Sequence, residues 1–207
     1  MKVLLINSSP HEKGCTYTAL REAADAMESC GVETEILWVG QVPTRGCIAC
    51  GGCKKAGKCV FDEDMVNRIG EMAQTADGFV FGSPVYYAGL NGTLSSLMDR
   101  LFYSQGRHFR HKPAAAVVSA RRAGTTTALD DIQKYFGLCE MPLVNSSYWA
   151  MVHGSRAEDA RQDEEGMQVM RNLGRNMAWL IRCIEAGKQQ NIVPTGNEYG
   201  VRTNFIR

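Results

Sequence analysis

The chain has 207 residues, 44% of them hydrophobic, with 23 basic against 22 acidic side chains for a formal net charge of +1. This length suits one α/β domain with some extra for a tail, and the apolar fraction is enough for a full core. The balanced charge gives no global field toward nucleic acid or an anionic membrane. No run approaches the roughly 20 apolar residues that span a bilayer, and the opening Met1-Lys2-Val3-Leu4-Leu5-Ile6 is too short for a secretory leader. A soluble, cytoplasmic protein with no nucleic-acid or membrane partner is expected.

The first element is a buried strand at Val3–Ile6, followed by a polar loop. A helix from about Thr16 to Cys30 sets Leu20, Ala23, Ala24 and Met27 on one face, and Gly31 stops it. Thr34–Val39 form a second strand. The acidic run Asp62-Glu63-Asp64 then marks a helix start, because negative charge suits the positive end of a helix dipole. A third strand, Gly78–Gly82, runs into Ser83-Pro84, and a helix from about Thr93 to Tyr103 buries Leu94, Leu97, Met98 and Leu101. Ala114–Ser119 make a fourth strand, Thr127–Phe136 a helix and Leu143–Ser147 a fifth strand. A long helix from about Glu158 to Glu185 carries the stripe Met167, Met170, Leu173, Met177, Leu180, Ile181 and Ile184, which suits intramolecular core. Its charged first turns suit a solvated face.

Strands alternating with helices imply a parallel sheet covered on both faces. Five strands at this spacing fit the doubly wound, flavodoxin-like α/β order 2-1-3-4-5, with its ligand outside the carboxyl ends of the strands at the switch point. Residues 1–187 would form that domain, including a cysteine loop at 46–59, and 188–207 a C-terminal tail.

Three loops lie at that end. After strand one, residues 7–17 are rich in hydroxyls and turn formers and lead into a helix N-terminus, where free backbone N–H groups suit a phosphate. The loop has no G-x-G-x-x-G and no Gly-Lys-Ser/Thr, so neither a dinucleotide fingerprint nor a P-loop is present; a phosphate monoester such as that of FMN is compatible. An ordinary capped strand-to-helix turn would read the same way. After strand three, Pro84-Val85-Tyr86-Tyr87-Ala88-Gly89 puts two tyrosines where they could flank a flat ring, or serve as core or interface residues. After strand four, Ser119, Arg121, Arg122 and Gly124 offer a hydroxyl, two cations and a turn. The arginines could meet a phosphate, a reduced flavin or a neighbouring subunit.

The segment Ser9-Pro10 through Thr16, the run Gly82-Ser83-Pro84-Val85-Tyr86 and the pair Asp99-Arg100 resemble the NADPH-dependent FMN reductase and iron–sulfur flavoprotein branch of the flavodoxin-like superfamily. The resemblance covers about the first 150 residues and extends less specifically to Tyr148-Trp149, His153-Gly154 and the last helix. It implies FMN with its phosphate at residues 9–17 (Ser9, His11, Cys15, Thr16 and Tyr17 among them), its ring against 84–89 and the 119–124 loop nearby. It also implies a homodimer or homotetramer with the site near a subunit boundary. His11 and Cys15 depart from the Arg and Asn that such loops often carry.

Four of the eight cysteines, Cys47, Cys50, Cys53 and Cys59, fall within thirteen residues at the spacing C-x2-C-x2-C-x5-C. Without an export signal, clustered cysteines point to metal or redox chemistry and not to a disulfide scaffold. Gly46, Gly51, Gly52 and Gly57 let the backbone turn around one centre, and Arg45, Lys54, Lys55 and Lys58 can offset thiolate charge. Four such cysteines suit an iron–sulfur cluster. Structural zinc more often takes two C-x2-C pairs with a longer spacer, and free or regulatory thiols remain open. The spacing is similar to that of iron–sulfur flavoproteins, which carry a [4Fe–4S] cluster beside FMN. Cys30, Cys139 and Cys183 suit small buried hydrophobes.

The leading function is an iron–sulfur flavoprotein passing electrons between FMN and a cluster. The alternatives are an NAD(P)H-dependent flavin, quinone or azo reductase without a cluster, and a non-enzymatic flavodoxin-like carrier with a zinc or free-thiol loop. The cofactor carries the chemistry, so no side chain is required as a nucleophile, and His11 and His153 suit structural hydrogen bonds. Candidate donors are reduced nicotinamide or ferredoxin. Candidate acceptors are quinones, oxygen species, and nitro or azo aromatics.

Overall fold

β1 (Lys2–Asn7) is a continuous apolar run because both of its faces are covered. Val3 and Leu5 point into one core cluster, Leu4 and Ile6 into another. The same alternation holds in β3 (Gly78–Tyr86), where Val80 faces one way and Phe79 and Phe81 the other. The computed structural model describes residues 1–203 and Phe205.

β1 pairs in parallel with β2 (Glu33–Trp38) and with β3. A two-residue strand, β4 (Gly89–Leu90), turns back antiparallel on β3. β5 (Ala114–Ala120) pairs with β3, and β6 (Met151–His153) with β5. The parallel order β2-β1-β3-β5-β6 is the expected doubly wound topology once the β4 hairpin is set aside. One face is covered by α1 (Cys15–Ser29) and the last helices. The other is covered by α3 (Met65–Met72), α4 (Gly92–Gln105) and α5 (Thr125–Leu138), after the single turn α2 (Cys53–Ala56). A side chain at Gly174 would stand 2.3 Å from the Ala23 carbonyl, so glycine there lets the last helix pack directly on α1.

Three expectations need correction. The fifth strand is Met151–His153, whereas Leu143 makes only an isolated bridge to Ala114. The polar run Asn145-Ser146-Ser147 cannot sit between two apolar faces, so the chain joins the sheet again at Met151. The long last helix is two helices, α6 (Ala157–Gln162) and α7 (Glu164–Gln189). The break is at Asp163, whose carboxylate accepts from Gly166 N at 2.9 Å and His153 N at 2.7 Å. Asp159 likewise accepts from Ser155 N and Arg156 N, so part of the charged run caps helices. The expected stripe lies on α7, with Met167, Met170, Leu173, Met177 and Ile181 buried. Cys183 is exposed, unlike the partly buried Cys30 and Cys139 that pack against the two cores.

Beyond α7 the described residues are irregular, and Tyr199 Oη donates to Glu140 at 2.7 Å while Arg110 lies 4.3 Å over the Tyr199 ring. No helix among the described residues is long and apolar enough to cross a membrane.

Candidate functional site: a phosphate loop and a cysteine loop joined by one helix

The loop after β1 is held by its own hydrogen bonds. Ser9 N donates to Asn7 Oδ1 at 3.1 Å, Asn7 Nδ2 to Glu12 O at 2.9 Å, His11 N to Ser9 Oγ at 3.2 Å and Gly14 N to His11 O at 3.2 Å. Trp38 Nε1, at the end of β2, donates to Ser9 O at 2.8 Å. Gly40 brings the chain so close that a Cβ there would stand 1.7 Å from Ser9 O. The loop ends at Gly14, which offers no side-chain cap to α1. The first backbone bond of that helix is Thr18 N to Gly14 O, so the N–H groups of Cys15, Thr16 and Tyr17 precede it. Such groups, with the positive end of the dipole, suit a phosphate.

These residues open on a cavity of about 520 Å³ lined by Ser9, His11, Cys15, Thr16, Pro84, Val85, Tyr86, Ser119 and Arg121, and also by Gly154, Ser155 and Arg156. Thr16 Oγ1 and Ser119 Oγ meet at 2.8 Å, joining the first loop to the end of β5. Burial, with the nearby Asp159 carboxylate, pushes the Cys15 thiol above its ordinary range, so Cys15 faces the cavity as a neutral thiol. Tyr17, Tyr87, Gly89, Arg122 and Gly124, expected at the site, do not line this cavity. Tyr87 is fully exposed at the tip of the β3–β4 hairpin, and both turn residues, Tyr87 and Ala88, have positive φ (48° and 62°). Arg122 is exposed, and its carbonyl accepts from His153 Nε2 at 3.2 Å, the structural role expected of that imidazole. Sequence reasoning missed Ser155 and Arg156. The available signal was the Asp159 cap that starts a helix beside Gly154.

The cysteine loop forms a second cavity of about 530 Å³. Cys47, Cys50, Cys53 and Cys59 all line it, with Lys54, Phe61, Asp99, Arg100 and Tyr103. Among the described residues, no three Cys, His, Asp or Glu side chains group closely enough to hold a single metal ion. Cys59 is the most constrained of the four. Its N donates to Asn67 Oδ1 at 2.9 Å, its carbonyl accepts from Asn67 Nδ2 at 2.8 Å, and its Sγ accepts from Arg100 Nε at 3.3 Å. Of the loop's cations, Arg45 stacks on Phe61 at 4.0 Å and Lys58 pairs with Asp62 at 3.7 Å. The acidic run starts α3 as expected, with Asp64 as the capping residue accepting from Val66 N at 3.1 Å. Asp64 also pairs with buried Arg100.

Helix α4 connects the two cavities. Its capping residue Asn91 is bonded to Ser8 in the first loop and to Ser83 on β3, and about two and a half turns on it carries Asp99 and Arg100 into the cysteine cavity. At 1.5 Å per residue the two ends of this span are about 14 Å apart.

A doubly wound sheet in this order, with free backbone N–H groups in the loop at its switch point, is of the flavodoxin-like class. The sequence matches the model of the NADPH-dependent FMN reductase family over residues 1–156, and the chain belongs to that family as an FMN-dependent oxidoreductase. It is 34% identical to an iron-sulfur flavoprotein of Methanocaldococcus jannaschii over 193 residues, covering 89% of this chain and 100% of that protein. It is 25% identical to an iron-sulfur flavoprotein of Methanosarcina thermophila, covering 92% of this chain and 100% of the relative. Among solved structures it is similar to RosB bound to 8-demethyl-8-formylriboflavin-5'-phosphate, with a TM-score of 0.69 at 15% identity, covering 100% of this chain and 92% of that one. At that identity the likeness is one of fold.

Proposed function

We propose that this protein is an iron–sulfur flavoprotein that passes electrons between FMN and a [4Fe–4S] cluster held by Cys47, Cys50, Cys53 and Cys59. The observation that carries the reading is that all four thiols line one cavity, tied through α4 to the phosphate loop. The donor set fits a cluster, which takes four cysteine thiolates and is larger than a single ion. FMN would supply two-electron and one-electron chemistry, and the cluster one electron at a time.

The residues of the chain then have distinct tasks. Ser9, His11, Cys15, Thr16 and Tyr17 would bind the FMN phosphate, chiefly through backbone N–H groups. Pro84, Val85, Tyr86, Tyr87 and Gly89 would lie against the ring, while Ser119, Arg121, Arg122 and Gly124 would close the third side. For Tyr17, Tyr87, Gly89, Arg122 and Gly124, which lie outside the cavity, this reading needs a rearrangement of their loops or a second subunit. A homodimer or homotetramer supplies such a subunit. Reduced nicotinamide or ferredoxin would deliver electrons and quinones or similar small molecules would take them, in the cytoplasm.

A second reading, an NAD(P)H-dependent flavin or quinone reductase without a cluster, is favoured by the description of the matching family. A visible spectrum with iron and acid-labile sulfide analysis on protein purified without oxygen separates the two. Flavin bands over a broad brown shoulder, with about four irons per chain, are expected, and Cys50→Ser should lose that iron. Flavin without iron would overturn the cluster reading in favour of the second, and full iron in Cys50→Ser would overturn the ligand assignment.

A further inference from the structure

Arg100 is 2% exposed, whereas every other Arg and Lys side chain among the described residues is at least partly accessible. Burying a guanidinium costs several kcal/mol unless it is paired and its donors are satisfied. Its donors are divided among four acceptors. Nε donates to Cys59 Sγ at 3.3 Å, Nη1 to Asp64 and to Arg45 O at 3.4 Å, and Nη2 to Phe61 O at 2.9 Å. Arg45 and Phe61 lie just outside the two ends of the cysteine loop, so one side chain from α4 closes the loop at its base. Nothing in the folding of α4 requires this. Leu94, Leu97, Met98 and Leu101 already bury its apolar face. An arginine kept in so costly a position, aimed at a sulfur, points to a role at that sulfur.

We infer that Arg100 is a positioning residue for the cysteine centre: it fixes the Cys59 sulfur and, through its Nε–H, favours the reduced form of the cluster bound there. This rests on the cluster reading proposed above. Reduction adds negative charge, part of which falls on the ligating sulfurs, and a hydrogen bond donated to a sulfur stabilises that charge and raises the potential. The neighbouring carboxylate of Asp64 cancels much of the arginine's net charge, so the directed N–H and not the bulk cation carries the effect. The pair has further consequences for the loop, because Asp64 caps α3 and Asn67 of that helix clasps the Cys59 backbone. Arg100 and Asn67 together leave Cys59 little freedom, whereas Cys47 and Cys50 are exposed.

The test uses anaerobically purified holoprotein and the double variant Arg100→Met/Asp64→Asn. The variant removes the donor without changing net charge and keeps a capping side chain at 64. Iron and sulfide are counted, and the midpoint of the cluster is followed by EPR during a redox titration. The expected result is a lower midpoint, with the oxidised-to-reduced ratio at a fixed potential rising about tenfold, or about 59 mV for a one-electron couple. A fully loaded variant with the unmodified midpoint overturns the inference. If the variant does not hold its cluster, the unmodified protein decides. Protein labelled with 15N-arginine should show a nitrogen coupling to the reduced cluster in pulsed EPR, and no coupling overturns the inference. Absence of iron from the unmodified protein is a different result, because it overturns the cluster reading itself.

Discussion

Asn91 and Ser8 hold each other across 83 residues of sequence: Ser8 Oγ donates to Asn91 Oδ1 at 3.0 Å, and Asn91 Nδ2 donates to Ser8 O at 2.7 Å. Asn91 Oδ1 also accepts from Leu94 N at 3.1 Å, so one buried amide both starts α4 and fastens the loop after β1. Asn91→Ala removes the cap and leaves buried partners unmatched. It should cost about 2–4 kcal/mol in urea unfolding and weaken FMN binding. A loss under about 1 kcal/mol would show that the amide is not the fastener.

Gly40→Ala places a methyl group against the Ser9 carbonyl, which cannot yield without moving Pro10 and His11. Fluorescence titration with FMN should give a dissociation constant at least about tenfold weaker, equivalent to 1.4 kcal/mol. An unchanged constant would remove residues 9–11 from the phosphate site.

The β3–β4 turn uses Tyr87 and Ala88 with positive φ at both positions, a conformation that favours Asn-Gly. Ala88→Gly should relieve strain and raise stability by about 0.5–1 kcal/mol, read as a higher melting temperature. If flavin binding falls while stability rises, the strain serves the site.

Burial holds the Cys15 and Cys139 thiols above their ordinary value of 9.0, so the folded protein keeps these protons more tightly than the unfolded chain does. Their contribution to stability is complete below that value and is lost as the pH rises through the higher folded values. Urea midpoints followed from neutral pH to above 9.0 should therefore fall less in Cys15→Ala/Cys139→Ala than in the unmodified protein. Parallel curves would show that these thiols do not contribute to the alkaline loss.

The sequence determined the architecture, because burial on two faces leaves a mark in the central strands β1, β3 and β5. Runs such as Val3–Ile6 and Ala114–Val118 are apolar throughout because helices cover both sides, and chain order with right-handed crossovers then leaves few sheet orders. The polar loop after β1 and the cysteine spacing were legible because each is a local run of sequence. Boundaries set by single polar groups were less legible. Asp163 breaks the last helix only because His153 N lies within reach of its carboxylate.

Tertiary structure alone decided what depends on residues far apart in sequence. No local pattern marks Arg100 as the partner of Cys59, 41 positions away, or Asn67 as the clasp on its backbone. Nor does any pattern show that the two tyrosines divide, with Tyr86 lining the cavity and Tyr87 leaving it at the hairpin tip. Periodicity reports which side of an element is apolar. Where a buried hydrogen bond goes is fixed by how separate elements meet, and here α4 made that choice by packing between the two loops.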